Sequence, residues 1–234
     1  KGKQAGRVVA ATPRGVGDLD NYSIRWSMET TGRDHEHGGN DFKRIEVTGK
    51  LMFEEPDGES DKEEVGTIKA TQYRLHYIGN TGADAFEIFD TTQEGMEVYN
   101  AVVGPLMDDF GEEMQGDALV IELIEITPAH RGHRLGLFMI EAADTVINGN
   151  MSACIIKPFP LQFEGGTNTH GFPAPPGQSD SESNNRPSRQ EALEAAKAKL
   201  RAFYCRLGFH QHDRTAYMIR WNGYNHPSLD NAMA

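Results

Sequence analysis

GDALVIELIEITPAHRGHRLGLFMIEAADTVING, residues 116–149, is the stretch on which the fold turns. Its first part, Gly116 to Pro128, is rich in β-branched and other apolar residues and is bounded by glycine and proline, which predicts a strand. Its last part carries apolar residues at helical spacing and ends near Gly149, which predicts an amphipathic helix. Between them lies HRGHRLGLF, residues 130–138, a basic cluster with two glycines at the mouth of that helix. First-turn N–H groups have no partner inside a helix, and the helix dipole adds positive potential, so such a junction suits an anion. Gly132 and Gly136 let the backbone approach it closely. Arg131, His133 and Arg134 can add charged donors, the histidine only when protonated. The spacing is neither GxxxxGK[ST] nor GxGxxG, which makes nucleoside triphosphates and dinucleotides poor candidates.

Working outward, ACIIKPF (residues 153–159) reads as a short buried strand, so the centre of the chain is strand–turn–helix–strand. Upstream, NYSIRWSMET (21–30), DFKRIEVTGKLMFEE (41–55) and EVGTIKATQYRLHYIGN (64–80) read as strands. HEHGGND (35–41) is a turn between the first two, PDGESDKE (56–63) a hairpin tip between the last two, and Arg7 to Asp20 a loose lead-in. In DTTQEGMEVYNAVVGP, Thr91 caps a helix with Glu94 as its capping-box partner. Met96, Tyr99 and Val103 fall on one face of it, with Val98 and Val102 beside that face, and Gly95 and Gly104–Pro105 limit its length. Residues 158–190 form a long loop rich in Pro, Gly, Ser and Asn, whose Phe159, Phe163 and Phe172 either line a pocket or anchor the loop. Arg189 to Leu207 is a helix stopped by Gly208, and FHQHDRTAYMIRW (209–221) a final strand pair. The order predicts one α/β domain over residues 1–234, a mixed central sheet with flanking helices.

Composition narrows the function. The 234 residues include 23 basic and 35 acidic side chains, a net charge of −12. A general nucleic-acid binder needs clustered Lys and Arg, so no nucleic-acid partner is expected, and a cationic or neutral one is mildly favoured. Cys154 and Cys205 make neither a disulfide framework nor a zinc site, which fits a reducing, cytoplasmic setting. No apolar run reaches the ~20 residues of a membrane helix, and the first residues lack the apolar core of a secretory signal. His35, Glu36 and His37, like His210 and His212, lack further ligands at metal spacing, so no metal is expected. Cys205 has no partner that would make it a nucleophile.

EITPAHRGHRLG, residues 125–136, resembles the central motif of the GNAT superfamily of N-acetyltransferases, where a strand ending V-x-P runs into R-G-x-G-x-G/A and a helix. Ile126 stands for the valine, and Pro128, Arg131, Gly132 and Gly136 match. Arg134 replaces the middle glycine, an exchange that a helical φ would accept. AFYCRLGF, residues 202–209, resembles a second family region, A-x-x-x-Y-x-x-x-G-F, with a shorter spacing from Ala202 to Tyr204. The resemblance covers Gly116 to Trp221. The first half is only compatible with it, since the family usually sets two helices between its first two strands.

The resemblance implies an acetyl-CoA-dependent N-acetyltransferase that moves acetyl directly to a primary amine. Backbone N–H groups of His133, Arg134, Leu135, Gly136 and Leu137 would hold the pyrophosphate, and main chain at Ile124 and Ile126 the pantetheine arm and acetyl carbonyl. Tyr204 would donate a proton to the departing thiolate. The attacking amine must first lose a proton, and Glu122 and Glu125 are the candidate bases. Three apart on a regular strand they face opposite ways, Glu122 sharing the face of Ile124 and Ile126; Glu125 is preferred as the nearer to the acetyl group. Small-molecule and peptide amines are both open as acceptors, and so is a homodimer. The alternative is a non-catalytic CoA-binding or regulatory module of the same fold.

Overall fold

The computed structural model describes residues 10–11, 19–31, 44–56, 61–75, 85–90, 92–106, 116–147, 151–160, 188–212 and 215–222. Strands β2 (Tyr22–Thr31), β3 (Arg44–Phe53) and β4 (Glu63–Tyr73) form an antiparallel meander, with β1 (Ala10–Ala11) on its outer edge. β5 (Asp117–Ile126) runs antiparallel to β4, and β6 (Met151–Ile156) runs parallel to β5. β8 (Met218–Trp221) pairs antiparallel with β6, and β7 (His210–Gln211) closes the far edge. The eight-stranded sheet has the order β1-β2-β3-β4-β5-β6-β8-β7. Its parallel step, β5 to β6, is made by a helical crossover, as parallel neighbours require.

Helices cover both faces. α3 (Leu135–Val146) and α4 (Arg189–Cys205) bury Leu137, Met139, Ile140 and Tyr204 against Ile24, Trp26, Leu51, Ile68, Leu119 and Ile121 of the sheet. On the other face, α1 (Ala85–Phe89) and α2 (Gln93–Val98) pack Ile88, Phe89 and Val98 on Tyr73, Ala118, Val120 and Ile155. A central strand covered on both sides loses its polar/apolar alternation. That is why ALVI in β5 and ACII in β6 are continuous apolar runs, all eight residues buried. The meander is packed more tightly still: the Trp26 indole lies over Gly49, where a Cβ would come within 2.5 Å of its ring.

Three local expectations change. α2 is capped by Thr92, whose Oγ1 accepts from the Gly95 N–H at 2.9 Å; Thr91 lies outside the described residues. The helix does not stop at Gly104–Pro105 but widens into a π turn over Tyr99–Val103 and stays helical through residue 106. A helical proline lacks a donor and crowds the carbonyl four residues back. The wider turn, with the Gly104 N–H reaching Tyr99 O, relieves that crowding. It also rotates the face, so Val98, Val102 and Val103 are buried while Met96 and Tyr99 are half-buried. The HEHGGND turn, Phe163 and Phe172 lie outside the described residues, as does the loop apart from its two ends.

α4 opens on a full capping box. Ser188 Oγ accepts from Glu191 N at 3.2 Å, and Glu191 Oε2 accepts from Ser188 N at 2.7 Å. Gly208, at φ 80°, ends it. No helix among the described residues is long and apolar enough to cross a membrane.

Candidate active site

The site grows from one irregularity in β5. Ala70 pairs with Ile121 and Lys69 with Leu123, so Glu122 is an extra residue, a bulge. A bulge resets the alternation of a strand. Leu119 and Ile121 below it, and Ile124 and Ile126 above it, therefore all pack on the α3–α4 face. The expectation that Glu122 shares a face with Ile124 and Ile126, with Glu125 opposite, is corrected. Glu122 turns to the α1–α2 face, where Thr71 Oγ1 donates to its Oε1 at 2.5 Å. The reset alternation puts exposed Glu125, beside Thr67, on that face too.

At the bulge β5 also loses a neighbour. Ile121–Ile156 is the last pair between β5 and β6, and from Glu122 to Ile126 the strand is paired to β4 alone. The Thr127 N–H donates to Val65 O at 2.9 Å, so Thr127 points its main chain at β4. By alternation, Ile126 and Ile124 point theirs the other way, into the gap that β6 has left. Ile126 O there accepts from Arg131 Nε at 2.9 Å. The N–H groups of Ile124 and Ile126 are fixed in direction along an open edge.

The turn above this edge is anchored to the meander. The Tyr22 hydroxyl, its pKa raised by burial, shares a hydrogen bond with His130 Nδ1 at 3.0 Å, and the imidazole packs against the Phe53 ring. Beyond His130, Gly132 has φ 91° and Arg134 φ 57°. Arg134 therefore occupies a left-handed position, not the helical one expected, where glycine is at ease and arginine is strained. It is also the N-cap of α3, with no side-chain cap bond.

His133, Arg134, Leu135 and Gly136 have backbone N–H groups with no partner among the described residues. Leu137 does not join them, since its N–H is spent on Arg134 O at 3.0 Å. Arg131, Gly132 and His133 are exposed, whereas the Leu135 side chain belongs to the core. Gly136 is buried where three elements meet: a Cβ there would lie 3.6 Å from the Phe203 ring of α4 and 3.8 Å from Ile124.

Tyr204 stands on the same face, buried, its ring against Phe203 and Phe209. Burial pushes its pKa up to about 12.

Across the gap the chemistry is acidic. Glu94 of α2 lies close enough to Glu122 that burial and this like charge together raise its carboxyl, Lys157 partly offsetting them. Lys157, the first residue after β6, bonds Glu97 Oε2 at 3.1 Å and stands 5.4 Å from the Tyr217 ring centroid. Burial and the charges of Glu97 and Glu94 raise Tyr217 to about 12.

The structure thus brings Ile124, Ile126, Gly136 and Tyr204 to one face, and Glu122 and Glu125 to the other. Thr71, Glu94 and Lys157 were not anticipated. Only Lys157 left a trace in the sequence, as a charge directly after a run of buried residues. The chain matches no family model, and no curated protein matches it.

Proposed function

We propose that this chain is a GNAT-like, acetyl-CoA-dependent N-acetyltransferase acting on a primary amine. The observation that carries the reading is the parting of β5 from β6 beside the α3 N-terminus. One edge offers directed strand N–H groups, and the adjoining turn offers four N–H groups without a partner among the described residues, with Arg131, His133 and Arg134 around them. A phosphate-bearing arm fits the turn, and an extended chain of amides fits the open strand edge. Acetyl-CoA supplies a thioester, an acyl group already activated for transfer.

The residues then divide the work. Negative charge growing on the acyl oxygen is met by the strand N–H groups, already aimed before reaction. Glu122, fixed by Thr71 on the α1–α2 face, takes the proton from the incoming amine, whose ordinary pKa is ~10.4. This shifts the preferred base from Glu125 to Glu122, which stands at the parting itself. Tyr204 faces the thiolate side. Burial keeps its hydroxyl protonated, so Tyr204 donates a hydrogen bond to the departing sulfur.

Calorimetric titration with acetyl-CoA tests the reading on two variants besides the native chain. Arg131→Glu reverses an exposed charge of the turn, so the fold is kept while a phosphate-bearing arm is repelled. His133→Glu puts an anion at an exposed position of the turn. Saturable binding by the native chain, weakened in both variants, is expected. Absence of binding by the native chain overturns the proposal, and binding without acetyl transfer to any amine leaves the non-catalytic module.

A further inference from the structure

Among the described residues, three half-exposed lysines pair with a glutamate on another segment of the chain. Lys50 pairs with Glu64 at 2.7 Å, Lys62 with Glu54 at 2.7 Å and Lys157 with Glu97 at 3.1 Å; their side chains are 50%, 47% and 45% exposed. By exposure and charge they are equivalents. By position they are not. Lys50 and Lys62 belong to the β3–β4 hairpin, whereas Lys157 directly follows Ile156, the residue paired with Ile121. Lys157 and Glu122 are therefore the first residues past the last β5–β6 pair, one on each side of the parting. Glu94 feels the charge of both, which places the lysine amine and the candidate base in one electrostatic neighbourhood.

Resting on the acetyltransferase reading above, we propose that Lys157 is a self-acetylation site: without an external acceptor, its own amine takes the acetyl group. Once released from Glu97, its four-carbon side chain reaches the mouth of the gap. The neutral amine, its proton passed to Glu122, attacks the thioester carbonyl. The C–N bond forms as the C–S bond breaks, and the second proton of the nitrogen passes to the departing sulfur. Glu122 returns its proton to solvent, and the products are Nε-acetyl-Lys157 and the free CoA thiol. The product lysine is neutral, so Glu97 loses its cationic partner and the acidic cluster is left open to a cationic amine.

The test incubates the whole chain with acetyl-CoA and no added amine, then compares acetylation at Lys50, Lys62 and Lys157 by peptide mass spectrometry. Lys157 is expected to label about tenfold faster or more, the advantage of a positioned group, at a rate unchanged by diluting the protein. Glu122→Gln is expected to slow labelling at Lys157 alone, and Lys157→Arg to abolish it there. Equal labelling of the three lysines, or a Lys157 rate that rises with protein concentration, overturns the inference. Acetylation of added n-butylamine with Lys157 left unlabelled defeats self-acetylation but spares the acetyltransferase reading. Failure to bind acetyl-CoA removes both.

Discussion

β5 is two strands in one. From Asp117 to Ile121 it lies between β4 and β6, is covered on both faces and is fully buried. From Glu122 to Ile126 it keeps β4, loses β6, and carries two exposed carboxylates. The lower half serves the fold and the upper half is available for chemistry, with the Glu122 bulge as the boundary. The upper half is weakly held by design: a paired main-chain edge could not accept a ligand, and a fully buried one could not be reached.

Substitutions can break or sharpen this division. The largest expected effect is at Leu119, fully buried in the lower half: Leu119→Ala should cost about 2–5 kcal/mol in urea unfolding. If Leu119→Ala is mild, the two halves are not mechanically distinct. If the proposed acetyltransferase reading holds, Glu122→Gln should leave stability nearly unchanged and lower turnover by about 10²–10⁴-fold, the usual worth of a positioned base, with acetyl-CoA affinity retained. Glu125→Gln should cost far less in the same assay; equal losses would return the role to both carboxylates. Arg134→Gly relieves a left-handed arginine and should raise stability by ~0.5–1 kcal/mol, read as a shifted urea midpoint.

The smallest effect concerns pH. Glu94 has a raised pKa in the folded chain, so its ionisation opposes folding. That penalty is complete above the raised value and fades as pH falls through it. Glu122→Gln removes one cause and should bring the Glu94 titration, followed by carboxyl NMR, down toward ordinary glutamate.

Much of the framework was legible because alternation and punctuation carry it. NYSIRWSMET, the apolar runs of β5 and β6, and the Gly208 stop all lie where pattern puts them. The site was legible only in outline. HRGHRLGLF announced helix N–H groups open to an anion, but no residue type in it announces the left-handed φ at Arg134. Alternation assigned Glu122 and Glu125 to opposite faces because it assumes an unbroken ladder, and a bulge is a property of two strands together. Likewise the π turn at Tyr99 comes from a conflict between Pro105 and the helix that no single residue advertises.

The order of pairing has a kinetic consequence. The β2–β3 and β3–β4 ladders join neighbours in sequence, whereas β6 and β8 unite Cys154 with Arg220, a much longer loop to close. Distant pairings form slowly, so the meander should assemble first and the β5–β6–β8 side last. The two tryptophans report on these events separately, Trp26 from β2 and Trp221 from β8. In stopped-flow refolding of Trp26→Phe and Trp221→Phe chains, the Trp26 signal should settle before that of Trp221. On the proposed reading, acetyl-CoA binding should return only with the later phase, so a nascent chain would hold its scaffold before it held the gap between β5 and β6.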